Sequence, residues 1–120
     1  MEVPILKQGD VLIATFQAAL SDADLNQLRG GLVQRVVRFR SRGVIVDVTA
    51  MDVMDSFASR TLREIAHMIR LRGAETVIVG IQPEVALAMV QLGLTLENVA
   101  TALDLEEGLA YLNRKRETRS

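Results

Sequence analysis

The first third of the chain passes from short apolar runs to a helical period. Ile5-Leu6-Lys7 and Val11 to Phe16 flank a turn at Gln8-Gly9-Asp10, a pattern typical of two antiparallel strands. Ser21 then precedes acids in the next turn, and apolar residues recur at helical spacing: Leu25, Leu28, Leu32, Val36 and Phe39. We therefore predict a hairpin followed by a helix that ends near Gly43, with Arg38, Arg40 and Arg42 in its last turn.

In the middle of the chain the same order of segments occurs twice: a helix, then an Arg-x-Arg-Gly motif, then an apolar strand. Residues 44–48 and 76–81 are β-branched runs typical of strands buried on both faces of a sheet. Between them an amphipathic helix follows Ser56, with its apolar face at Ala58, Leu62, Ile65, Ala66 and Ile69. Helix and strand units in succession predict parallel strands joined by helical crossovers.

The last third predicts two more helices and a short strand. Pro83 suits the first turn of a helix whose apolar residues are Val85, Met89 and Leu92, before Gly93. A strand is expected around Leu96 to Val99, and Asp104 to Glu107 resembles a capping box for a helix through Leu112. The fold class is therefore α/β: one domain, residues 1–120 with a core of 4–112 and a charged tail at 113–120. Its sheet is mixed, mostly parallel and opened by the hairpin, with about four helices packed on it.

Composition and charge narrow the function classes. The chain has 49% hydrophobic and 24% charged residues and a net charge of −1, which is typical of a folded domain. No basic stripe marks a nucleic-acid binder. The chain has no cysteine, secretory signal or apolar run near the roughly 20 residues of a membrane span. We therefore expect a cytoplasmic protein without thiol chemistry.

One junction carries the most informative residues, Val53 to Ser59, where the strand at 44–48 leads into the second helix. Ser56 could be a plain N-cap, accepting a backbone N–H that the first turn leaves unpaired. It could instead accept a phosphoryl group, because a helix N-terminus favours negative charge. Position in the sequence does not decide between the two.

Two catalytic arrangements fit the residues poorly. A hydrolase triad would need Ser56, Asp52 or Asp55, and His67, but on one helix His67 would lie about 16 Å from Ser56 at ~1.5 Å per residue. A Mg²⁺-dependent phospho-aspartate receiver would use Asp47 with Asp52 and Asp55. The only lysines, Lys7 and Lys115, are not at a later strand end where they could neutralise the phosphate. The simpler interpretation is that Asp47 binds local backbone and that the other two aspartates serve in turns or caps.

The same junction is unusually apolar for a loop. It carries Met51, Val53, Met54 and Phe57, of which we expect about half to fill the core. The others would form an adaptable patch around Ser56. A phosphate placed there would strongly change the affinity for a partner that binds this patch.

Several segments resemble the STAS domain family. They are Asp47-Val48-Thr49, Asp55-Ser56-Phe57, Gly80-Ile81-Gln82-Pro83 and the stretch from Thr101 to Leu109. The resemblance runs from about Pro4 to Leu112, and within the family it is strongest to the single-domain scaffold of the bacterial stressosome. It implies a non-enzymatic module without cofactor or metal, in which Ser56 is the phosphoacceptor.

The resemblance also implies partners. These are a serine/threonine switch kinase that the module sequesters until it is phosphorylated, longer STAS paralogues, and a PP2C-type phosphatase that resets it. Homodimers and a large hetero-oligomeric assembly are expected, with neither nucleic acid nor membrane. We predict that Val53, Met54, Asp55 and Phe57 bind the partner, with Ser59 as an alternative acceptor. A sporulation-type anti-sigma factor antagonist that acts outside a large assembly is the alternative in the same family.

Overall fold

Five strands and four helices follow one another along residues 3–18 and 20–119, the part of the chain that this computed structural model describes. The strands are β1 (Ile5–Gln8), β2 (Val11–Thr15), β3 (Gly43–Asp47), β4 (Glu75–Val79) and β5 (Ala100–Ala102). The helices are α1 (Asp22–Phe39), α2 (Ser56–Leu71), α3 (Pro83–Gln91) and α4 (Leu105–Arg119). Met1, Glu2, Ala19 and Ser120, which include both ends of the predicted domain, lie outside the described residues.

The strands form one sheet in the order β1-β2-β3-β4-β5. The hairpin pairs β1 with β2 in antiparallel fashion, and Ile5 lies opposite Ala14. Every later neighbour is parallel: β2 with β3, β3 with β4, and β4 with β5. The predicted α/β class, the opening hairpin and the mostly parallel sheet are therefore confirmed.

The two faces of the sheet build two apolar clusters, because successive side chains of a strand point to opposite faces. The larger cluster takes alternate residues of β2, β3 and β4, such as Leu12, Val44 and Ile78, and packs them against α1, α2 and α3. The smaller one takes the intervening residues, such as Ile45 and Val77, together with Leu112 of α4. The sheet is thus sandwiched between helices, as buried parallel strands require.

The first helix begins as predicted but ends earlier. The Ser21 hydroxyl accepts the Asp24 N–H at 3.1 Å, and the Asp24 carboxylate accepts the Ser21 N–H at 3.0 Å. At the other end Arg40 adopts the left-handed conformation, with φ 51°, so the prediction that Gly43 closes the helix is wrong. Gly43 is instead the first residue of β3, where a Cβ atom would lie 2.7 Å from Cδ1 of Leu112. Close packing against α4 explains that glycine.

The C-terminal third differs from the prediction in two places. Residues 96–99 form a turn in which Val99 donates to the Leu96 carbonyl at 3.1 Å and Asn98 has φ 64°, so the last strand begins only at Ala100. Helix α4 begins after Asp104, whose carboxylate accepts the Glu107 N–H at 2.9 Å, but it continues to Arg119 rather than ending at Leu112. The charged residues beyond Leu112 include Arg, Lys and Glu, which favour helix without needing burial.

Candidate functional site

The loop between β3 and α2, residues 48–55, lies at the carboxyl edge of the parallel strands. The Val48 N–H donates to the Val79 carbonyl of β4 at 3.0 Å, and the Met51 N–H donates to the Val48 carbonyl at 3.0 Å. The side chains of Met51 and Met54 are both buried in the larger cluster. These contacts fix the path of the loop up to the first residue of α2.

The sequence left open whether Ser56 caps helix α2 or is free to be modified. Asp55 is the N-cap of α2, and its carboxylate Oδ1 accepts the Ala58 N–H at 2.8 Å. Ser56 is the first helical residue, and it is exposed. The interpretation of Ser56 as the cap is therefore wrong. The carboxylate of Asp55 pairs with the free N–H group of the first turn, and the Ser56 side chain is exposed to solvent.

Two features near Ser56 favour an anion, beside the exposed carboxylates of Asp52 and Asp55. The first turn of a helix carries unpaired N–H groups and the positive end of the helix dipole. Arg60 is exposed and lies four residues further on, on the same face of the helix. Its guanidinium is 5.8 Å from the centre of the Phe57 ring. A positive charge is thus available one turn from the Ser56 hydroxyl.

Ser59 is in a different environment. It is 1% exposed, and its hydroxyl donates to the Thr95 carbonyl at 3.4 Å, in the segment between α3 and β5. A kinase could reach that hydroxyl only if the first turn of α2 separated from this segment. The contact has a structural role instead, since it links α2 to a different part of the chain.

The apolar residues of the junction separate into two pairs, as expected. Met51 and Met54 fill the core, whereas Val53 is 71% exposed and Phe57 is half-buried. The prediction that Met54 contacts a partner is corrected by its burial, at 4% exposed. The accessible apolar surface beside Ser56 consists of Val53 and the exposed part of Phe57.

The segment that follows β4 contacts this loop directly. The sequence did not indicate that its residues take part in the site. Gln82, before α3, donates from Nε2 to the Thr49 carbonyl at 2.6 Å. Gly80 has φ 82°, and a Cβ atom there would lie 2.0 Å from the Thr49 hydroxyl oxygen. The sequence marked these residues as part of a segment that resembles the STAS family, but it gave no sign that they contact Thr49. The Gly-Ile-Gln-Pro segment thus supports the loop that carries Ser56.

The carboxylates near the site have ordinary structural partners. Asp47 Oδ1 accepts the Thr49 N–H at 2.9 Å and the Thr49 hydroxyl at 2.6 Å, and Asp55 caps α2. The local interpretation of both aspartates is confirmed. Across residues 3–18 and 20–119 no group of three or more His, Asp or Glu side chains is arranged to hold a metal ion. His67 is an exposed residue of α2. Of the helices in this part of the chain, none has both the length and the apolar character to cross a membrane.

The comparison with protein families identifies one family over most of the chain. The STAS domain profile matches residues 2–108. A similar sequence is the RsbT co-antagonist protein RsbRA of Bacillus subtilis, which is 35% identical over 78 residues. That match covers 65% of this chain and 28% of the relative, so the chain spans less than a third of the relative's length.

Two solved structures resemble the fold over nearly the whole chain. One is RsbS of Moorella thermoacetica, in a variant with a serine replaced by glutamate: the TM-score is 0.83 at 33% identity, covering 96% of this chain and 97% of that one. The other comes from a study of the architecture of the stressosome, a signal integration and transduction hub: the TM-score is 0.80 at 34% identity, covering 94% and 98%.

Proposed function

The chain belongs to the STAS domain family, and from that premise we propose that it is a non-catalytic, phosphorylatable scaffold of a stressosome-type complex. In this function it sequesters a switch-protein serine kinase and releases it when Ser56 is phosphorylated. The chain is related to the stressosome proteins RsbS and RsbR, which supports a regulatory role of the anti-sigma factor antagonist type.

The observation that carries the proposal is the exposed hydroxyl of Ser56 on a helix whose cap is supplied by another residue. Asp55 accepts the Ala58 N–H, so the Ser56 hydroxyl can be modified without loss of the cap. Ser59 is buried, which favours Ser56 as the acceptor. A kinase needs a hydroxyl that it can approach from solvent, and in this part of α2 Ser56 meets that requirement.

Phosphorylation would change the charge of this surface. A phosphate adds about −1.5 to −2 charges at neutral pH. The helix N-terminus and Arg60 stabilise that charge within the protein, so the modification leaves the fold intact. A kinase bound over Ser56, Val53 and Phe57 would have to accommodate a desolvated dianion. Removing that charge from water costs several kcal/mol, and ~1.4 kcal/mol is tenfold in affinity, so the kinase is released.

The partners follow from the relatives. RsbRA is described as an RsbT co-antagonist, which supports an RsbT-like kinase as the protein sequestered here. The match to a stressosome structure supports co-assembly with longer, RsbR-like STAS proteins and with other copies of this chain. A PP2C-type phosphatase would remove the phosphate and restore kinase binding. The module itself supplies the surface and the acceptor, and the kinase supplies the chemistry.

The test compares two serines that lie three residues apart. Incubated with the partner kinase and ATP, wild type and Ser59→Ala should incorporate phosphate, and Ser56→Ala should not. In a binding assay without ATP, Ser56→Asp should lose the kinase, whereas the neutral variant Ser56→Asn should retain it. Efficient phosphorylation of Ser56→Ala, or undiminished kinase binding by Ser56→Asp, would contradict the proposal.

A further inference from the structure

A second polar pocket lies at the opposite edge of the sheet from Ser56. It is enclosed by the C-terminal ends of α1 and α2 and by the residues that lead into β3 and β4, and its volume is about 300 Å³. Its polar lining comes from Arg40, Ser41, Arg42, Arg72 and Gly73. None of the described residues that line it is acidic. The pocket is independent of the Ser56 site and of the function proposed for it.

Among the described residues, only one of the three arginines has a partner for its charge. The guanidinium of Arg42 donates to the Asp10 carboxylate at 2.7 Å, to the Leu112 carbonyl at 3.0 Å and to Asn113 at 3.0 Å. It is therefore a fixed wall of the pocket. Arg40 and Arg72 are exposed, and neither guanidinium forms an ion pair or a hydrogen bond with the rest of the described chain. Two positive charges thus remain available at its rim.

Ser41 supplies an independent indication that this pocket takes a ligand. The residue is 6% exposed, and its hydroxyl has no hydrogen-bond partner among the described residues. A buried hydroxyl without a partner destabilises a protein, so such groups are rare unless something else satisfies them. The Thr76 hydroxyl is also buried and unpaired, but Thr76 does not line the pocket. Ser41 therefore adds a buried hydroxyl without a partner to a pocket that Arg40 and Arg72 also line.

The competing explanation is that Arg40 and Arg72 only neutralise the negative C-terminal ends of the two helices. Several carbonyls in those last turns already have backbone partners. Ser41 N–H donates to Val36 at 3.1 Å, and Ala74 and Gly73 N–H groups donate to Ile69 at 3.1 Å and Arg70 at 2.9 Å. These carbonyls therefore do not need the two guanidinium groups as donors.

We propose that this pocket is a binding site for a phosphate group, held by the guanidinium groups of Arg40 and Arg72 and by the hydroxyl of Ser41. A phosphate dianion matches two cations in charge, and its oxygens accept bidentate hydrogen bonds from guanidinium groups. The Ser41 hydroxyl donates to a further oxygen. The group can be free inorganic phosphate or the phosphate of a small monoester, since both present the same oxygens.

The test is a titration of the full chain with inorganic phosphate at about pH 8, where the anion is mainly doubly charged. Sodium chloride is adjusted to keep the ionic strength constant, and binding is followed by the amide NMR shifts of residues 40–42 and 72–74. We expect saturable shifts confined to these residues. Arg40→Gln and Arg72→Gln should each weaken binding about tenfold or more. Arg63→Gln, which changes an exposed arginine of α2 outside the pocket, should not.

A second titration, with phosphoserine in place of inorganic phosphate, distinguishes the two possible ligands. Tighter binding of phosphoserine assigns the site to a monoester, and equal binding assigns it to the free ion.

Ser41→Ala tests the hydroxyl separately. It should weaken phosphate binding and leave the melting temperature of the phosphate-free protein unchanged or higher, because an unpaired buried hydroxyl is removed. A Ser41→Ala variant that is less stable but binds phosphate as tightly as wild type would contradict a role for the hydroxyl. The absence of saturable shifts at constant ionic strength, or equal binding by Arg63→Gln and Arg72→Gln, would overturn the site.

Discussion

Asp55 and Ser56 are adjacent residues of types that both cap helices, yet the structure gives them different tasks. The Asp55 carboxylate accepts the Ala58 N–H at 2.8 Å and so stabilises the first turn of α2. Ser56 follows it with a hydroxyl that no backbone group requires. Because the cap does not depend on Ser56, phosphate can be added and removed without changing how α2 begins.

Asp55→Ala should lower the free energy of unfolding by about 1 kcal/mol through loss of this cap, as measured by urea denaturation. Asp55→Asn should keep most of the stability, since asparagine caps about as well. The matched control is Asp52→Ala, three residues earlier and also exposed, which should change the stability by less than about 0.5 kcal/mol. Equal losses in Asp52→Ala and Asp55→Ala would contradict the assignment of Asp55 as the cap.

Gly80 is the second residue on which the site depends. Its φ of 82° disfavours any side chain, and a Cβ atom would meet the Thr49 hydroxyl oxygen at 2.0 Å. Gly80→Ala should therefore lower the free energy of unfolding by more than Gly93→Ala, which has φ 70° but nothing within 4 Å of its Cβ position. We expect about 1 kcal/mol for Gly93→Ala and about 2 to 4 kcal/mol for Gly80→Ala. Similar losses would show that contact with Thr49 does not constrain this turn.

At the level of single residues, the sequence predicted a candidate site but not the environment of each residue in it. A hydroxyl at a strand-to-helix junction identified Ser56, and two pairs of apolar neighbours were expected. Both methionines are buried because of how the loop folds over the sheet, and the sequence pattern did not reveal this for Met54, which was predicted to bind the partner. The burial of Ser59 depends on Thr95, which is 36 residues away, and no local pattern reports such a contact.

At the level of elements, periodic segments were predictable and irregular ones were not. Helix α2 has a continuous apolar stripe, and the β-branched runs of β3 and β4 are buried on both faces, so their positions follow from the pattern. Strand β5 has only three residues, and its position is set by pairing with β4 and by the turn at Asn98. The extension of α4 to Arg119 has no apolar period to mark it.

Helix α4 is the element that covers the second face of the sheet, and Leu112 is its fully buried anchor. Leu112→Ala should lower the free energy of unfolding by about 2 to 5 kcal/mol, because it leaves a cavity against Ile45 and Gly43. Leu103→Ala is the control: Leu103 is mostly exposed, just before this helix, and its replacement should cost little. Denaturant unfolding of both variants measures the difference. A small loss in Leu112→Ala would show that α4 is not required for the core.

At the level of the whole molecule, the proposed stressosome role requires that copies of this chain assemble with longer STAS proteins. Mixed with an RsbR-like paralogue, the chain should enter a particle of about a megadalton, as measured by mass photometry or light scattering. If the mixture contains only monomers or dimers, the sporulation-type antagonist becomes the better description.

The central claim is that Ser56 is the residue on which the switch acts, and one measurement tests it most directly. The protein is recovered from its own cells, before and after stress, and its phosphorylation is mapped by tandem mass spectrometry on peptides that contain both Ser56 and Ser59. We predict phosphate on Ser56, with an occupancy that changes with stress, and none on Ser59. Phosphate confined to Ser59, or an unmodified Ser56 in both samples, would contradict the account.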